Sequence, residues 1–433
     1  MSDGSDPSIG RNGVAITTAR KYESMESGYR TYEVYQRERV GESTEKIKPA
    51  QLNSPAHAQN PYPFLEVLRE HYPFYRDWTN NCYWVTRYDD VTSIFVDDAN
   101  FETRPRAWYL SDIEVGSDFR DNILVGRTVE KIFDEHCVPL ASALLDEIES
   151  DEVDLVSAFF APLTSNLIAQ AFGVAKSDWS SFGSLLWQLQ RGVGWHPLSI
   201  TRAHLASKEL ALLLEPAFDV EGRVPAAIRS QDPQAEVKDV LATLLELDFQ
   251  TLFGSLSNLW CLLMLHPEER QKVVDPRTMK LAYLETLRHS APITTAQRFA
   301  RHEVERFGKL IPNGALLKCS AAAANRDPRI FANPDDFIVD RADLCQREAR
   351  GQYRADGLAS GVAVGLGKPS RHPAVPEDRA RSTYALTRDT VVSISMQLLA
   401  RYPKLSLAGP DKPFMRSLNV DELYTCWSLP TRI

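Results

Sequence analysis

The chain has no apolar stretch long enough to cross a bilayer. Its longest strongly apolar run, Leu259 to Leu265, falls well short of the roughly 20 residues a spanning helix needs. It also has no signal-peptide core, since MSDGSDPSIGRNGVAITTAR opens without an apolar block. These gaps predict a cytoplasmic protein with no membrane partner. Basic residues are in deficit, 49 against 58 acidic, for a net charge of −9. That excludes a general affinity for nucleic acid. Cysteines are few and scattered. Cys82, Cys137, Cys261, Cys319, Cys345 and Cys426 form no close pairs, which argues against a disulfide framework or a zinc site and reads each as a buried thiol. Gly365-Leu-Gly367 sits in no strand–GxGxxG–helix context and is not a nucleotide loop. There is no internal repeat and no domain linker.

What is present is a long helical tract inside a single domain. Residues 1–50 are polar, with helical character between Lys21 and Val40, and predict a loose N-terminal arm before a domain over 51–433. Pro63 can open a helix that puts Phe64, Val67, Leu68 and His71 on one face. YWVTRYDD (83–90) alternates like a strand, and DVTSIFVDD (90–98) reads as a short helix. Helical patterns dominate from 121 to 215, and a polar, Pro-containing loop follows at 222–236. One helix is then expected from Val237 to Leu265, because no proline interrupts it. After 289 the pattern turns to short strands and turns, closing with a helix over Tyr384–Arg401. The fold class is mainly α with a small β region. His136 and Cys137, as helix neighbours, point apart and read as filler. Trp187, Trp195 and Trp260 read as ordinary core.

Three motifs stand in a telling order. Glu285-Thr-Leu-Arg288 puts a carboxylate and a guanidinium on one helical face. AAAANRDPRIFANPDDFIVDR carries Asn325-Arg326-Asp327-Pro328 and ends at Arg341. RYPKLSLAG follows the last helix. Together with NPYPFLEVLREH and YWVTRYDDV, these resemble the cytochrome P450 haem monooxygenases of soluble bacterial type, over roughly residues 55–433. The resemblance implies the triangular, mostly helical P450 fold. It also implies a buried structural charge network of Glu285, Arg288 and Arg341, which is costly to half-remove.

The same resemblance implies a cysteine thiolate in a Gly-rich loop before the last helix. VGLGKPSRHPAVPEDRAR (364–381) holds none. One alignment puts Arg371 at the ligand position and another puts Arg381 there, and arginine does not ligate iron. Cys345 lacks a glycine frame and comes too early. His372 is the weak metal candidate, read otherwise as a surface residue. The central helix offers Asp248, Gln250 and Thr251 as catalytic candidates. Gln250 stands where an acid would handle protons, and Asp248 where a glycine would lie against the porphyrin. Arg127 and Arg298 match propionate contacts, and Arg371, Arg379 and Arg381 could bind an anion. The resulting expectation is a P450-like protein of small-molecule secondary metabolism that binds no cofactor and activates no oxygen. It would act either as an auxiliary of a partner enzyme or as a non-redox cyclase- or isomerase-like enzyme with a small-molecule ligand. The alternative is a haem oxidoreductase or monooxygenase with a non-cysteine ligand.

Overall fold

A computed structural model describes residues 52–106, 116–191, 197–247, 249–344, 354–355, 358–359, 380–409, 413–418 and 423–433. The expected N-terminal arm, 1–50, lies outside these residues. The first half builds a small sheet edge and then a helical layer. Helix α1 (Tyr62–His71) leads into strands β1 (Phe74–Asp77) and β2 (Cys82–Val85), helix α2 (Tyr88–Phe95) and strand β3 (Phe101–Glu102). Helices α3 (Ile123–Asp146), α4 (Ala161–Ala171), α5 (Trp179–Arg191) and α6 (Pro197–Leu214) follow.

The second half carries α7 (Val237–Glu246), α8 (Phe249–Leu265) and α9 (Pro276–His289), then β4 (Thr295–Ala300) and β5 (Leu316–Ser320). Helix α10 (Thr383–Arg401) and strands β6 (Phe414–Leu418) and β7 (Leu423–Ser428) close the chain. The main sheet runs β1-β2-β5-β4-β3. β2 and β5 pair in parallel, with Trp84 opposite Lys318. The long connection between those two strands therefore wraps most of the helical layer around one sheet.

Local sequence explains the helix starts. Asn122 caps α3 by accepting from the Leu124 and Val125 amides at 2.9 and 3.3 Å. Asp275 and Thr278 form a reciprocal cap on α9, with Pro276 in its first turn. Ser382 caps α10 through the Ala385 amide at 3.1 Å.

Two expectations need correction. Residues 222–236 are not all loop, because Val224–Gln231 is helical. Pro225 sits in that helix's first turn, where its missing N–H removes no intrahelical bond. The helix expected over Val237–Leu265 is broken. Leu247 leaves helical geometry at φ −72°, ψ 114°. No proline or glycine marks the break. The preceding turns are instead held by side-chain bonds to Arg106, Ser117, Phe119 and Arg120, a tertiary constraint that no local pattern reveals.

α8 runs through the core and is buried along nearly its whole length. Trp260 is fully buried and donates through Nε1 to Ser395 Oγ on α10 at 3.1 Å. Asn258 ties α8 to two other segments. Its Nδ2 donates to the Ser290 and Tyr424 carbonyls at 2.9 and 3.0 Å, and its Oδ1 accepts from the Cys426 amide at 2.9 Å. A methyl on Gly254 would stand 2.5 Å from Pro292 Cβ, so glycine is what lets the following loop lie against the helix. Asn258→Ala leaves one amide and two carbonyls unpaired in the core. It should lower unfolding stability by about 2 kcal/mol or more in a urea titration, because orphaned buried groups keep their full desolvation cost.

Candidate functional site

The motif residues converge at the C-terminal end of α9. Arg288 donates from Nε and Nη2 to the two Glu285 oxygens at 2.8 and 2.7 Å. Its remaining donors reach the carbonyls of Asn325, Pro334 and Asp336 at 2.7 to 2.9 Å. Arg341 Nε reaches Glu285 Oε1 at 3.1 Å, and the Ile338 amide donates to the same oxygen at 3.0 Å. The structure thus brings Glu285, Arg288 and Arg341 together, with Glu285 and Arg288 wholly buried. Each residue of the Asn325–Asp327 run has a packing task. Asn325 donates to the Leu287 carbonyl at 3.2 Å. Arg326 lies 3.5 Å over the Tyr62 ring, and Asp327 accepts from the Tyr88 amide at 3.1 Å. None of these contacts requires a metal.

A cavity of about 430 Å³ opens between the first turns of α3, the start of α8 and the start of α10. Val125, Val129, Phe133, Ile168, Leu252 and Leu386 make its interior apolar. Arg120, Asp121 and Asn122 stand on one side, with Arg381, Ser382 and Thr383 opposite. The size falls within the roughly 300–1,000 Å³ usual for small-molecule and cofactor sites. α3 and the segment entering α10 are in close contact here: a methyl on Gly126 would come within 2.8 Å of Ala380 Cβ.

The predicted site residues fare differently. Asp248, Arg371, His372 and Arg379 lie outside the described residues, as does Cys345. Gln250 and Thr251 are buried on α8, but among the described residues it is Phe249 and Leu252 that line the cavity. Arg127 is exposed on α3, while Val125 and Gly126 face the cavity. Arg381 lines the cavity yet is already neutralised. It donates to Glu130 at 2.6 Å, to both oxygens of Asp134 at 2.6 Å and to Asp389 at 3.2 Å. As an anion-binding residue it is corrected to a clasp between α3 and α10. Arg298 differs from it. It stacks 4.6 Å over Phe95 and donates only to a neighbouring carbonyl, with no carboxylate in ion-pair range among the described residues. Burial pushes its pKa down.

Two features escape a sequence reading. Glu246 ends α7 with only 7% of its surface exposed. Its Oε2 accepts from Arg120 Nη1 at 2.8 Å, and its Oε1 from the Arg106 amide. Arg106 in turn donates to Gln190 at 2.8 Å. Burial raises the Glu246 pKa above its ordinary value, while Arg120 and then Arg106 pull it down and Asp118 pushes it up. The available signal was the same one that drew attention to Asp248, a charge set among leucines in ATLLELDFQ. The other feature is an aromatic cluster. Trp187 meets Phe249, Phe253 and Trp427 edge-on, with ring centroids 4.8 to 5.7 Å apart. Phe249 also lines the cavity, so this cluster backs one wall. Trp260, by contrast, is plain core.

No protein-family model matches the chain. Relatives do. Cytochrome P450 133B2 of Xylella fastidiosa is 26% identical over 406 residues, covering 84% of this chain and 95% of the relative. The polyketide biosynthesis cytochrome P450 PksS of Bacillus subtilis is 23% identical over 325 residues, 65% of this chain and 80% of the relative. The crystal structure of P450BioI in complex with a hexadec-9Z-enoic acid-ligated acyl carrier protein superposes with a TM-score of 0.69 at 20% identity, covering 88% of this chain and all of that one.

The chain is similar to bacterial cytochrome P450s in sequence and in fold over most of its length. That overturns the expectation of a protein without cofactor, since the relatives and structural neighbours are haem P450s. Two observations bear on whether a porphyrin fits this chain. The apolar cavity, bounded by the central helix α8 and the start of α10, is of a size usual for a cofactor or small molecule. Arg298 on β4, outside the residues that line the cavity, is a buried guanidinium with no carboxylate in ion-pair range among the described residues. No described helix is long and apolar enough to cross a membrane.

Two measurements follow. Glu285→Gln strips one charge from a buried pair and should cost about 3–5 kcal/mol of unfolding stability, measured by thermal or urea melts. Glu246, with a raised pKa, adds stability that is fully present below its ordinary value near 4.5 and is lost as pH rises through the raised value. Stability should therefore fall with pH across that window, and Glu246→Gln should flatten the slope.

Proposed function

We propose that this protein binds haem in the cleft between α8 and α10 and acts in small-molecule, secondary metabolism without the thiolate-driven splitting of oxygen. The observation that carries the proposal is a contrast along the chain. The fold-keeping residues Glu285, Arg288, Asn325 and Arg341 are all in place, yet no cysteine occurs between Cys345 and Cys426. The described cysteines are buried and free. Burial pushes the Cys319 thiol up to about 12 and raises Cys137 as well, which works against a thiolate at either position.

In this reading Arg298 holds a propionate, and the walls of the cleft hold the macrocycle and exclude water. Bound haem supplies a redox-active iron. The electron push that a thiolate lends to oxygen cleavage is what this chain withholds. Gln250 supports the same reading, since an amide beside Thr251 cannot deliver a proton as a carboxylic acid would.

A second reading is an auxiliary protein that docks on a partner enzyme. It is favoured by Leu205 and Leu212, two turns apart on α6, which are 57% and 76% exposed.

Protein purified from cells supplied with haem decides between these outcomes. The proposal expects stoichiometric haem by pyridine haemochrome assay and a ferrous–carbonyl band of the non-thiolate kind. A thiolate-type carbonyl band would return the chain to ordinary oxygenase chemistry, and absence of any Soret band would remove the haem. Arg298→Leu should lower haem occupancy severalfold while leaving the fold intact by circular dichroism.

A further inference from the structure

We infer that the outward face of α6 is a self-association surface, and that its occupant is the same face of a second copy of this chain. The inference goes beyond the proposed function and does not rest on it. It gives Leu205 and Leu212 a specific partner in place of an unidentified enzyme.

The face is a single stripe. α6 turns Ala203, Ala206, Leu210 and Leu214 into the core. Arg202, Leu205, Lys208, Glu209 and Leu212 stand exposed on its other side, and Glu215 continues the row in the 3-10 turn that follows. Leu205 and Leu212 are seven residues apart, so they lie on one line, about 10 Å apart along the axis. Burying these two leucines is the driving force that a partner would use.

The charges decide what that partner is. Among the described residues, Arg202, Lys208, Glu209 and Glu215 make no ion pair, so their charges are unspent. Along the helix the row reads Arg, Leu, Lys, Glu, Leu, Glu. Reversed, with every charge inverted in sign, it reads the same. The midpoint falls between Lys208 and Glu209. A two-fold axis there sets Arg202 level with Glu215 of the second copy, Leu205 with Leu212, and Lys208 with Glu209. The long cationic side chains reach across the leucine layer to their partners. A two-fold interface demands a patch that is its own complement, and this row is one. Parallel pairing would set each charge beside its like. An anionic membrane is a poorer occupant, because the row holds two cations and two anions and such a surface attracts an excess of cations. The patch is small, which makes the dimer reversible and dependent on concentration.

Sedimentation velocity of the full chain over a concentration series tests this. The expected result is a monomer–dimer equilibrium that loosens as salt rises. Leu212→Asp should raise the dissociation constant about tenfold or more. Lys208→Glu and Glu209→Lys should each weaken self-association about tenfold, since one row becomes more acidic and the other more basic. An equimolar mixture of those two variants should pair at least as tightly as the wild type, because each row then complements the other. A chain that stays monomeric at the highest concentration overturns the inference. So does a mixture that pairs no better than its separate components. Dimers that survive Leu212→Asp unchanged place the interface elsewhere and overturn it too. None of these outcomes bears on haem, whose occupancy is read from the absorption spectrum. The substituted side chains are all exposed, and circular dichroism checks that each variant is folded.

Discussion

A carboxylate with no exposed surface, Glu285, sits between the guanidiniums of Arg288 and Arg341 and accepts a backbone amide as well. Taking three charges out of water is expensive, and only a full set of partners offsets it. The two arginines find those partners in the carbonyls of residues 325–336. The strandless meander after β5 is therefore fixed by charge satisfaction more than by regular secondary structure. The meander in turn positions Asp327 against Tyr88 and Arg326 over Tyr62, which ties the C-terminal half to the first helices.

The second organising feature is the polar stripe on α7. Asp239, Thr243 and Glu246 recur on one face, and each accepts from a different part of the segment leading to α3: the Ser117 amide, the Phe119 amide and the Arg120 side chain. A buried hydrogen-bonding stripe of this kind sets the start of α3 precisely, and with it one wall of the cavity. The same stripe leaves a carboxylate beside the cavity at the point where the central helix breaks. Arg381, from the opposite wall, closes the α3–α10 side with its three carboxylates. The cavity is thus framed by two ion-paired arginines whose situations differ: one is saturated, and one is paired to a carboxylate that burial disfavours.

Fold by itself does not settle chemistry. The overall fold is similar to that of P450s, while residues 364–381 contain no cysteine. Of the aromatic cluster of Trp187, Phe249, Phe253 and Trp427, Phe249 reaches the cavity and the others back that wall.

By itself the sequence determined the fold class, and its resemblance to a known family pointed to the Glu285–Arg288–Arg341 network. Those depend on short-range patterns and on motifs whose partners lie in order along the chain. Tertiary structure decided the rest. The break at Leu247 has no local marker, because bonds from Arg106, Ser117, Phe119 and Arg120 hold the helix before it. Arg381 looked like a free cation because its carboxylates on α3 are distant in sequence and adjacent only after folding. Glu246 and Arg120, 126 positions apart, became a pair for the same reason. Burial and proximity set which charges are spent and which remain to be exchanged, and both are properties of the packed chain, not of any window along it.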